Sequence, residues 1–376
     1  MPQETIICSG IVERIGFSDA NFIYKTDNQA IEVETGMINH KTGLKLLAKQ
    51  LLDKQTGVIK SAADIIAVGH RVVHGGNYFS ETTLITEDVK EKIKTLSSLA
   101  PLHNPPNLDG IQVAEEIFPN AKQVAIFDTA FHQSIPEYAY KYAIPNDFLD
   151  THNIRVYGFH GTSHKYVSEK AIAFLGKEKS NIITIHLGNG CSMTAIKNGK
   201  SLDHSMGFSP ASGLIMGTRS GDIDPSVIFY LKDKLDYKLK DINILLQKES
   251  GMLGLTGFSD LRDIQYHAEK GNKDCQLALE MNAYRIKKYI GSYAAILNGL
   301  DAIVFTAGIG ENSVLIRELI CKDLDFLGIQ LDLEKNEAKS KELRAINRED
   351  SKVKILVIPT NEELEIAKQT MLLIKN

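Results

Sequence analysis

Residues 182–200 read IITIHLGNGCSMTAIKNGK, and this stretch decides the fold class of the chain. Its apolar start, residues 182–187, predicts a buried strand, and Gly188-Asn-Gly190 predicts a tight turn. Residues 192–196 predict a second strand. Asn198-Gly199 is a strong β-hairpin signal because both residue types tolerate a positive φ, so a third strand is expected after it.

Short apolar runs of the same kind recur elsewhere and alternate with amphipathic helical patterns. The runs are Ile65–Val68, Val124–Phe127, Ala302–Phe305 and Val353–Ile358, and residues 272–298 carry a long helical pattern. Because buried strands alternate with helices over most of the length, the sequence predicts an α/β fold.

Two helix starts carry capping signals. Thr86 precedes two acidic residues and a stripe formed by Val89 and Ile93, which predicts a capped amphipathic helix. Thr360 and Glu363 predict a capping box at the start of the last helix of the chain.

The composition places the chain among ordinary globular proteins. It has 376 residues, 43% of them hydrophobic and 24% charged, and this length predicts two domains. The formal net charge of -4 argues against a protein that mainly binds nucleic acid or a membrane surface. No apolar run reaches the roughly 18 residues of a membrane span, and the four scattered cysteines predict a reducing, cytoplasmic location.

Two glycine turns are candidates for binding phosphate. Gly188-Asn-Gly190 and Gly308-Ile-Gly310 each follow a predicted strand, where backbone N–H groups can approach phosphate oxygens. A single turn of this kind is better explained by chain reversal alone, but two in one chain favour a nucleotide cleft. Neither matches the P-loop or the Rossmann pattern, so those two classes of enzyme are disfavoured.

Three charged residues are candidates for catalysis. Arg71 and Arg219 lie in glycine-rich stretches, which suits bidentate capture of carboxylate or phosphate oxygens, although each could be a structural ion-pair partner. Asp128 follows a predicted buried strand, where catalytic carboxylates of α/β sheets commonly lie, although it could simply cap the next segment.

His160 and His164 have the spacing of a zinc pair. The glutamate of the H-E-x-x-H pattern and a third ligand are both missing, so a role for His160 beside a phosphoryl group is favoured over metal binding. His164 is equally well explained as a structural histidine. Glu362 could reach a magnesium ion directly or through water, with a solvated glutamate as the alternative.

These features occur inside longer motifs that together resemble the acetate kinase family. The motifs are Gly69-His-Arg-Val-Val-His-Gly-Gly76, Ala100-Pro-Leu-His-Asn-Pro105, Phe127-Asp-Thr-Ala-Phe-His132, Tyr157-Gly-Phe-His-Gly-Thr-Ser-His164, His186-Leu-Gly-Asn-Gly190, Met216-Gly-Thr-Arg219, Phe305-Thr-Ala-Gly-Ile-Gly-Glu-Asn312 and Pro359-Thr-Asn-Glu-Glu363. They cover nearly the whole chain, in the order in which the family has them.

The resemblance implies a two-domain α/β fold of the duplicated actin-like and sugar-kinase type, which is ribonuclease H-like. In that fold a strand, a glycine loop, a strand and a hairpin open each half. Residues 1–130 with the returning helix 362–376 would form the N-terminal domain, and residues 131–361 the C-terminal nucleotide-binding domain. The resemblance also implies a homodimer, in which the 272–298 helix would find a partner.

The resemblance further implies phosphoryl transfer between ATP and acetate, with Mg²⁺ as cofactor and Mn²⁺ as the alternative. Its catalytic residues would be Arg71, Asp128, His160 and Arg219, with Arg71 also binding substrate and Glu362 holding the metal. The pocket for the acetyl methyl group would consist of Val73, Leu102, Phe159 and Pro210. The ATP site would consist of His186, Leu187, Gly188, Asn189, Gly190, Asp260, Leu261, Arg262, Gly308, Ile309, Gly310, Glu311 and Asn312.

The chain departs from the family pattern at its start. The family's opening strand, Asn-x-Gly-Ser-Ser-Ser-Leu-Lys loop and second strand are missing, so the first domain is expected to be incomplete. An internal methionine recorded as the start and a real truncation are the two explanations. The missing strands would lie between residues 6–11 and 65–73, and open strand edges are expected there. The loop before Asp260 is also one residue short, which bears on the adenosine contacts.

Two alternative functions follow from these observations. One is a propionate or butyrate kinase, because an added methylene changes binding by only about 1–3 kcal/mol. The other is a non-catalytic nucleotide-binding relative, which the missing loop favours and the retained Arg71, Asp128, His160 and Arg219 oppose.

Overall fold

The structure, a computed structural model, describes residues 3–36 and 38–375. The chain divides into two compact units, Met1–Ala130 with Glu362–Asn376, and Phe131–Asn361. Within the described residues, every helix is too short or too polar to span a bilayer.

Strands and helices follow one another in mixed order. The strands are β1 (Cys8–Glu13), β2 (Asn21–Thr26), β3 (Ala30–Glu34), β4 (Ala67–Val72), β5 (Thr83–Leu84), β6 (Lys122–Phe127), β7 (Asn181–Leu187), β8 (Cys191–Lys197), β9 (Lys200–His204), β10 (Ala302–Thr306), β11 (Arg344–Ala345) and β12 (Lys354–Val357). The helices are α1 (His40–Leu51), α2 (Glu87–Thr95), α3 (Asn104–Ile117), α4 (Glu137–Tyr140), α5 (Asp147–Asp150), α6 (Gly161–Leu175), α7 (Ser226–Lys234), α8 (Leu239–Lys248), α9 (Gly251–Thr256), α10 (Leu261–Glu269), α11 (Lys273–Leu297), α12 (Ala307–Asn312), α13 (Val314–Cys321), α14 (Leu333–Glu337) and α15 (Glu362–Lys375).

The first unit contains two three-stranded sheets. One is the antiparallel meander β1-β2-β3, and the other has the order β4-β6-β5, with β4 and β6 parallel. Helix α15 packs closely on β4, since a Cβ added to Gly69 would lie 2.6 Å from Ile366. A core around Ile93, Ile111 and the stacked rings of Phe79 and Phe127 lies against the second sheet.

Open strand edges occur where the sequence predicted them. In the described part of the first unit, β1 and β4 each pair with a neighbour on one side only. Ile6 and Ile7, which precede β1, and Ile11 within it are 68%, 62% and 50% exposed. The β1 edge therefore presents apolar side chains and unpaired backbone groups together.

The second unit is built on a six-stranded sheet with the order β11-β12-β10-β7-β8-β9. The predicted strand–turn–strand–hairpin–strand run is confirmed as β7, β8 and β9, which form an antiparallel meander. Asn198 and Gly199 have φ values of 53° and 75°, so the hairpin uses the residue types that tolerate this conformation. The predicted long helix is confirmed as α11, with Asn272 as its N-cap.

The parallel strands of this sheet place the glycine segments at one edge. Strand β10 is parallel to both β7 and β12, with Thr306 opposite His186 and Phe305 opposite Val357. The carboxyl ends of these strands therefore meet at the same edge of the sheet. The residues that follow β7, β10 and β12 belong to motifs singled out in the sequence, so the fold brings these motifs together.

Two local predictions were wrong. The segment containing Gly308 and Gly310 is the short helix α12 rather than a turn, and Ala307, the first residue of that helix, has a φ of 62°. Helix α15 begins at Glu362, so Asn361 precedes it, and the Thr360 hydroxyl instead hydrogen bonds to Ser163 Oγ at 2.9 Å.

Candidate active site

Arg71 and Asp128 form a bidentate ion pair in the first unit. Arg71 lies on β4 and Asp128 follows the parallel strand β6, so the ends of neighbouring strands bring them together. Arg71 Nε donates to Oδ1 at 3.0 Å, and Nη2 donates to Oδ2 at 2.6 Å. Asp128 is buried and its carboxylate raises the pKa of the Arg71 guanidinium.

Glu362 is the second carboxylate beside Arg71. Its Oε2 lies 4.0 Å from Arg71 Nε. Burial raises the pKa of Glu362, the Arg71 guanidinium opposes that rise, and the Asp128 carboxylate adds to it. Two carboxylates beside one guanidinium leave an excess of negative charge that a divalent cation would relieve, and oxygen is the ligand that Mg²⁺ prefers.

This carboxylate pair supplies only part of a metal's coordination. In the residues that the structure describes, no group of three or more His, Cys, Asp and Glu side chains is arranged to hold a metal. A two-carboxylate site still fits magnesium, because that ion commonly keeps several waters and binds substrate phosphates.

The backbone around Arg71 is held by buried amides and hydroxyls. Asn107 Oδ1 accepts from the Val73 N–H, Asn104 Oδ1 from the His74 N–H, and Thr129 Oγ1 from the Gly75 N–H. These bonds fix the glycine-rich segment after β4 and so hold the chain at the base of Arg71.

The four residues predicted for the methyl pocket divide equally between the units. In the first unit Val73 is buried and Leu102 is 58% exposed. In the second unit Phe159 is buried, and the Pro210 carbonyl accepts a hydrogen bond from Arg219 Nη1 at 2.8 Å.

His160 lies at a strained turn in the second unit. It immediately precedes α6 and has φ of 55°, a left-handed conformation that is uncommon for residues other than glycine. Its Nδ1 hydrogen bonds to Ser192 Oγ at 2.8 Å, and its ring stacks on that of His186 with centroids 4.4 Å apart. The ring is therefore held from two sides.

Arg219 and His160 face the same space above Gly190. A Cβ added to Gly190 would lie 3.3 Å from His160 Nε2 and 3.8 Å from Arg219 Nη1. Burial lowers the pKa of the Arg219 guanidinium, which nevertheless stays cationic at neutral pH. The second unit thus presents an imidazole and a guanidinium over one glycine of the β7–β8 turn.

Buried histidines surround His160. Besides His160 the cluster contains His132, His164, His186 and His204, whose neighbouring ring centroids lie 4.2–6.5 Å apart. Burial, then the neighbouring histidines, lower the pKa of His164 and of His204 well below 6.5, so both are neutral at physiological pH.

Backbone groups fix one ring proton in two of these histidines. His132 Nε2 lies 2.9 Å from the Phe159 carbonyl and must donate to it, and its Nδ1 forms a hydrogen bond with Ser201 Oγ at 2.9 Å. The Phe159 N–H donates to His204 Nε2 at 3.0 Å, so the His204 proton is on Nδ1 and points to Thr194. The sequence contained no signal for this network, because its members are distant along the chain.

Most of the residues predicted to bind ATP line a cavity of about 580 Å³ in the second unit. Its lining includes Leu187, Gly188, Asn189, Asp260, Leu261, Arg262, Gly308, Ile309 and Asn312. The other four predicted residues, His186, Gly190, Gly310 and Glu311, are not in the lining. His186 hydrogen bonds to Ser163, and Glu311 accepts from the Thr360 N–H.

The sequence analysis missed several residues of this cavity. They are Cys191, Ile215, Met216, Gly217, Met252, Ser259, Gln265, Asn282 and Ser313. Met216 and Gly217 lie in the motif that contains Arg219, which could have indicated them. Cys191, Ile215, Ser259 and Ser313 are direct sequence neighbours of motif residues, which could also have indicated them. Met252, Gln265 and Asn282 lie singly on α9, α10 and α11, where no local pattern marks them.

Asp260 and Arg262 form an ion pair at one corner of the cavity. Asp260 caps α10 by accepting from the Arg262 N–H at 2.8 Å, and its carboxylate also pairs with the Arg262 guanidinium at 2.6 Å. These bonds lower the pKa of Asp260 to about 2. The shortened loop before Asp260 therefore still presents an ordered Asp–Arg pair.

Comparisons with known proteins agree over the whole chain. A sequence profile of the Acetokinase family matches residues 1–368. An acetate kinase from Flavobacterium johnsoniae is 66% identical over 376 residues, which are 100% of this chain and 95% of the relative. An acetate kinase from Acetivibrio thermocellus is 51% identical over 380 residues, covering 100% of this chain and 95% of the relative.

Solved structures give the same result. The crystal structure of Porphyromonas gingivalis acetate kinase matches with a TM-score of 0.93 and 44% identity, covering 100% of this chain and 95% of that one. A propionate kinase from Francisella tularensis matches with a TM-score of 0.93 and 44% identity, covering 99% and 94%. The α/β fold class is thereby confirmed, and it is consistent with the two-domain actin-like architecture.

Family membership carries the enzyme class with it: these proteins are kinases that use ATP and acetate as substrates and require a divalent metal. The motifs, the α/β fold, the nucleotide-sized cavity and the full-length similarity all lead to one assignment. The chain belongs to the acetokinase family.

Proposed function

We propose that the chain catalyses the reversible transfer of the γ-phosphoryl group of ATP to acetate, giving acetyl phosphate and ADP. The observation that carries this proposal is the cavity at the carboxyl ends of β7 and β10, in a chain 66% identical to an acetate kinase. Its volume of about 580 Å³ suits a nucleotide.

The ATP site that we propose comprises the predicted residues 186–190, 260–262 and 308–312. Leu187, Ile309 and Met252 give the cavity apolar walls for an adenine ring, and the Asp260–Arg262 pair gives it a polar corner. Gly188 and Gly308 leave their backbone accessible, as phosphate binding needs.

Acetate binding is proposed to use the two arginines. Acetate is already a carboxylate at neutral pH, so the reaction needs no strong general base; repulsion between two anions is the main barrier. Arg71 is aimed by the buried Asp128, and Arg219 is held by the Pro210 carbonyl, so both guanidiniums are preorganised. We propose that the two guanidiniums bind the carboxylate and phosphoryl oxygens and that His160 stabilises the transferring phosphoryl group.

We propose that Asp128 acts by orienting Arg71 and by assisting Glu362 in binding the metal. Both of its oxygens accept from Arg71, so it orients that guanidinium rather than taking a proton from acetate. We assign the divalent metal to Glu362, assisted by Asp128, with Mg²⁺ as the ion and Mn²⁺ as the alternative. When bound, the metal would neutralise phosphate charge.

The two compact units are proposed to be the two actin-like domains. Small substrates are the only ligands we assign, with no role for nucleic acid or a membrane. A cytoplasmic location is supported by the cysteines at 8, 191, 275 and 321, which are all free thiols.

A homodimer is also proposed. Helix α7 has no buried residue, and Val227, Phe229 and Tyr230 are 39%, 62% and 60% exposed. Leu235 and Leu239 extend this exposed apolar surface toward α8. An apolar surface of this kind on a single chain is typical of an interface, and a second copy would cover it.

The direct test is to trap acyl phosphate with hydroxylamine. Purified protein with ATP, MgCl₂ and acetate should form acetyl hydroxamate in proportion to enzyme, and omission of acetate should abolish the product. Nucleotide binding without acetate-dependent product would instead support the non-catalytic alternative.

Propionate is the second candidate substrate, because a propionate kinase is among the structures with a TM-score of 0.93. Comparison of kcat/KM for acetate, propionate and butyrate would decide between them. If kcat/KM for propionate exceeds that for acetate, propionate replaces acetate as the assigned substrate. We expect instead that an added methylene lowers kcat/KM about tenfold.

A further inference from the structure

Two histidines and two hydroxyl groups form one continuous row of hydrogen bonds that ends at His160. Thr184 Oγ1 lies 2.7 Å from His164 Nδ1, His164 Nε2 lies 2.7 Å from Ser192 Oγ, and Ser192 Oγ lies 2.8 Å from His160 Nδ1. Thr184, His164 and Ser192 are fully buried. The inner members of the row therefore have no contact with solvent.

The number of protons in this row is fixed. His164 is neutral, so one of its ring nitrogens carries a proton and the other accepts one. Each hydroxyl has one proton to donate. Because every bond in the row needs one donor and one acceptor, the direction of donation at Thr184 determines the direction at every later bond.

One direction of donation gives every hydroxyl proton in the row an acceptor. If the Thr184 hydroxyl donates to His164 Nδ1, then His164 Nε2 donates to Ser192, and the Ser192 hydroxyl donates to His160 Nδ1. In the opposite direction Thr184 accepts from His164, and its own hydroxyl proton must then find another acceptor. Among the described residues, the side-chain hydrogen bond of Thr184 is the one to His164. A buried hydroxyl proton without an acceptor is costly, so the first direction prevails.

We propose that Ser192 is a positioning residue, the last donor of a row Thr184–His164–Ser192–His160 that holds His160 in the tautomer with its proton on Nε2. This inference rests on the proposed role of His160 beside the phosphoryl group. Since Nδ1 receives the Ser192 proton, His160 Nε2 is the nitrogen left to donate, and it faces the space above Gly190. No proton moves between residues in this arrangement.

The charges around His160 favour the same neutral state. The His186 ring is stacked on it, and Arg219 Nη1 faces the same point above Gly190. His164, His132 and His204 lie behind it, and the Cys191 thiol, whose pKa burial raises to about 12, lies beside Arg219. Arg219 is a cation and the His164 and His204 rings are neutral, so a second positive charge at His160 would be repelled by Arg219.

For the reaction, the consequence is that His160 Nε2 is a fixed hydrogen-bond donor. A neutral imidazole that always presents an Nε2 proton can hydrogen bond to a phosphoryl oxygen without first reorienting or binding a proton. Loss of the Ser192 hydroxyl would let the ring exchange tautomers and accept a second proton at Nδ1.

NMR of the complete protein labelled with ¹⁵N-histidine tests the tautomer directly. Protonated and unprotonated ring nitrogens have well-separated shifts, and the His160 signals are identified by their loss in His160→Asn. We expect a proton on Nε2 and none on Nδ1 at pH 7.5 in the wild-type protein. A proton on Nδ1, or on both nitrogens, would overturn the proposal, whether or not the protein makes acetyl phosphate.

Kinetics of matched variants separate positioning from general stability. Ser192→Ala should lower kcat about tenfold with little change in KM, and should move the acid limb of the kcat profile to higher pH. Ser201→Ala is the control, because it removes an equally buried serine hydroxyl from His132 instead. Ser192→Thr, which keeps a hydroxyl, should restore part of kcat.

Two results would contradict this role for Ser192. One is an equal loss of kcat in Ser192→Ala and Ser201→Ala, which would indicate a merely structural effect. The other is an unchanged pH profile and unchanged His160 shifts in Ser192→Ala. If no variant or wild-type protein forms acyl phosphate, the proposed function fails while the NMR result still decides the tautomer.

Discussion

Asp128 holds Arg71 by both of its carboxylate oxygens, at 3.0 Å to Nε and 2.6 Å to Nη2. The carboxylate is only 1% exposed, whereas the guanidinium side chain is 44% exposed. The buried partner therefore anchors the exposed one. The described hydrogen bonds of Arg71 use Nε and Nη2, and we assign substrate binding to the remaining Nη1 group.

Asp128→Asn is expected to lower kcat far more than it weakens acetate binding. The amide can accept from only one side and brings an N–H group against a guanidinium, so Arg71 loses its fixed orientation. A fall in kcat of about 100-fold, with KM for acetate within about threefold, is the expected result of steady-state hydroxamate assays.

Asp88→Asn is the control for that change. Asp88 forms an exposed ion pair with Lys92 on α2, so its replacement should leave both constants unchanged. An Asp128→Asn protein with wild-type kcat would remove Asp128 from the mechanism.

Arg71→Lys is expected to raise KM for acetate and lower kcat together, each by about tenfold. A lysine keeps the positive charge but cannot bind Asp128 with two parallel bonds and contact a carboxylate with a third group. We propose that Arg71 binds substrate in the ground state as well as in the transition state, so both constants should move.

Arg14→Lys provides the comparison, since Arg14 pairs with Asp19 at the surface of the same unit. The assignment of Arg71 to acetate would be wrong if its variant changed the KM for ATP and left that for acetate untouched.

The sequence predicted the parts of the fold that depend on local patterns. The apolar run of β7, the hairpin at Asn198-Gly199 and the capped helix from Glu87 are all in the structure, because each is specified by neighbouring residues. Helix α12 was missed, because its six residues are too few for a helical period and include two glycines.

The candidate site was likewise predictable from the sequence only in part. The sequence motifs identified Arg71 and Asp128 as separate candidates. Their ion pair could not be predicted from the motifs, because it depends on the pairing of β4 with β6. The hydroxyls of Thr184 and Ser192 look like ordinary strand residues, and only the antiparallel register of β7 and β8 brings both to His164. Such pairings depend on tertiary contacts that no short stretch of sequence encodes.

Gly308→Val is expected to raise KM for ATP by about tenfold while the protein keeps its stability. A Cβ added at Gly308 meets no described atom within 4 Å, so the side chain has room in the folded protein. That room is part of the cavity assigned to ATP, so the added methyl groups would take volume from the nucleotide.

Gly291→Val is the matched control, because a Cβ there also meets nothing within 4 Å but lies on α11, outside the cavity. The KM for ATP and the melting temperature should be measured for both. Equal KM values for ATP in the two variants would argue against a nucleotide at Gly308.

Phe229→Asp is expected to convert the proposed dimer into a monomer. Phe229 is 62% exposed in the single chain, and a carboxylate placed in an apolar interface would be desolvated without a partner. Light scattering after gel filtration should give half the wild-type mass. Phe326→Asp, at an 81% exposed phenylalanine outside α7, should keep that mass, and a monomeric wild-type protein would refute the proposed dimer.

Asp203→Asn is expected to stabilise the protein at neutral pH. Burial raises the pKa of Asp203 from 3.8 to about 6, so the native protein holds a proton there between these values that the unfolded chain has released. Stability therefore falls as the pH rises through this window and then stays constant once both states are ionised. An asparagine avoids the cost of burying that charge.

Urea unfolding at several pH values between 4.5 and 8 would measure the effect. The variant should exceed wild type by about 1–3 kcal/mol in free energy of unfolding at pH 7.5, and the difference should shrink as the pH approaches 4.5. Asp332→Asn is the control, because hydrogen bonds at the start of α14 lower the pKa of Asp332, so any difference there should have the opposite sign at neutral pH. A pH-independent difference for Asp203→Asn would mean that the carboxyl is ionised at the same pH in the folded and unfolded chains.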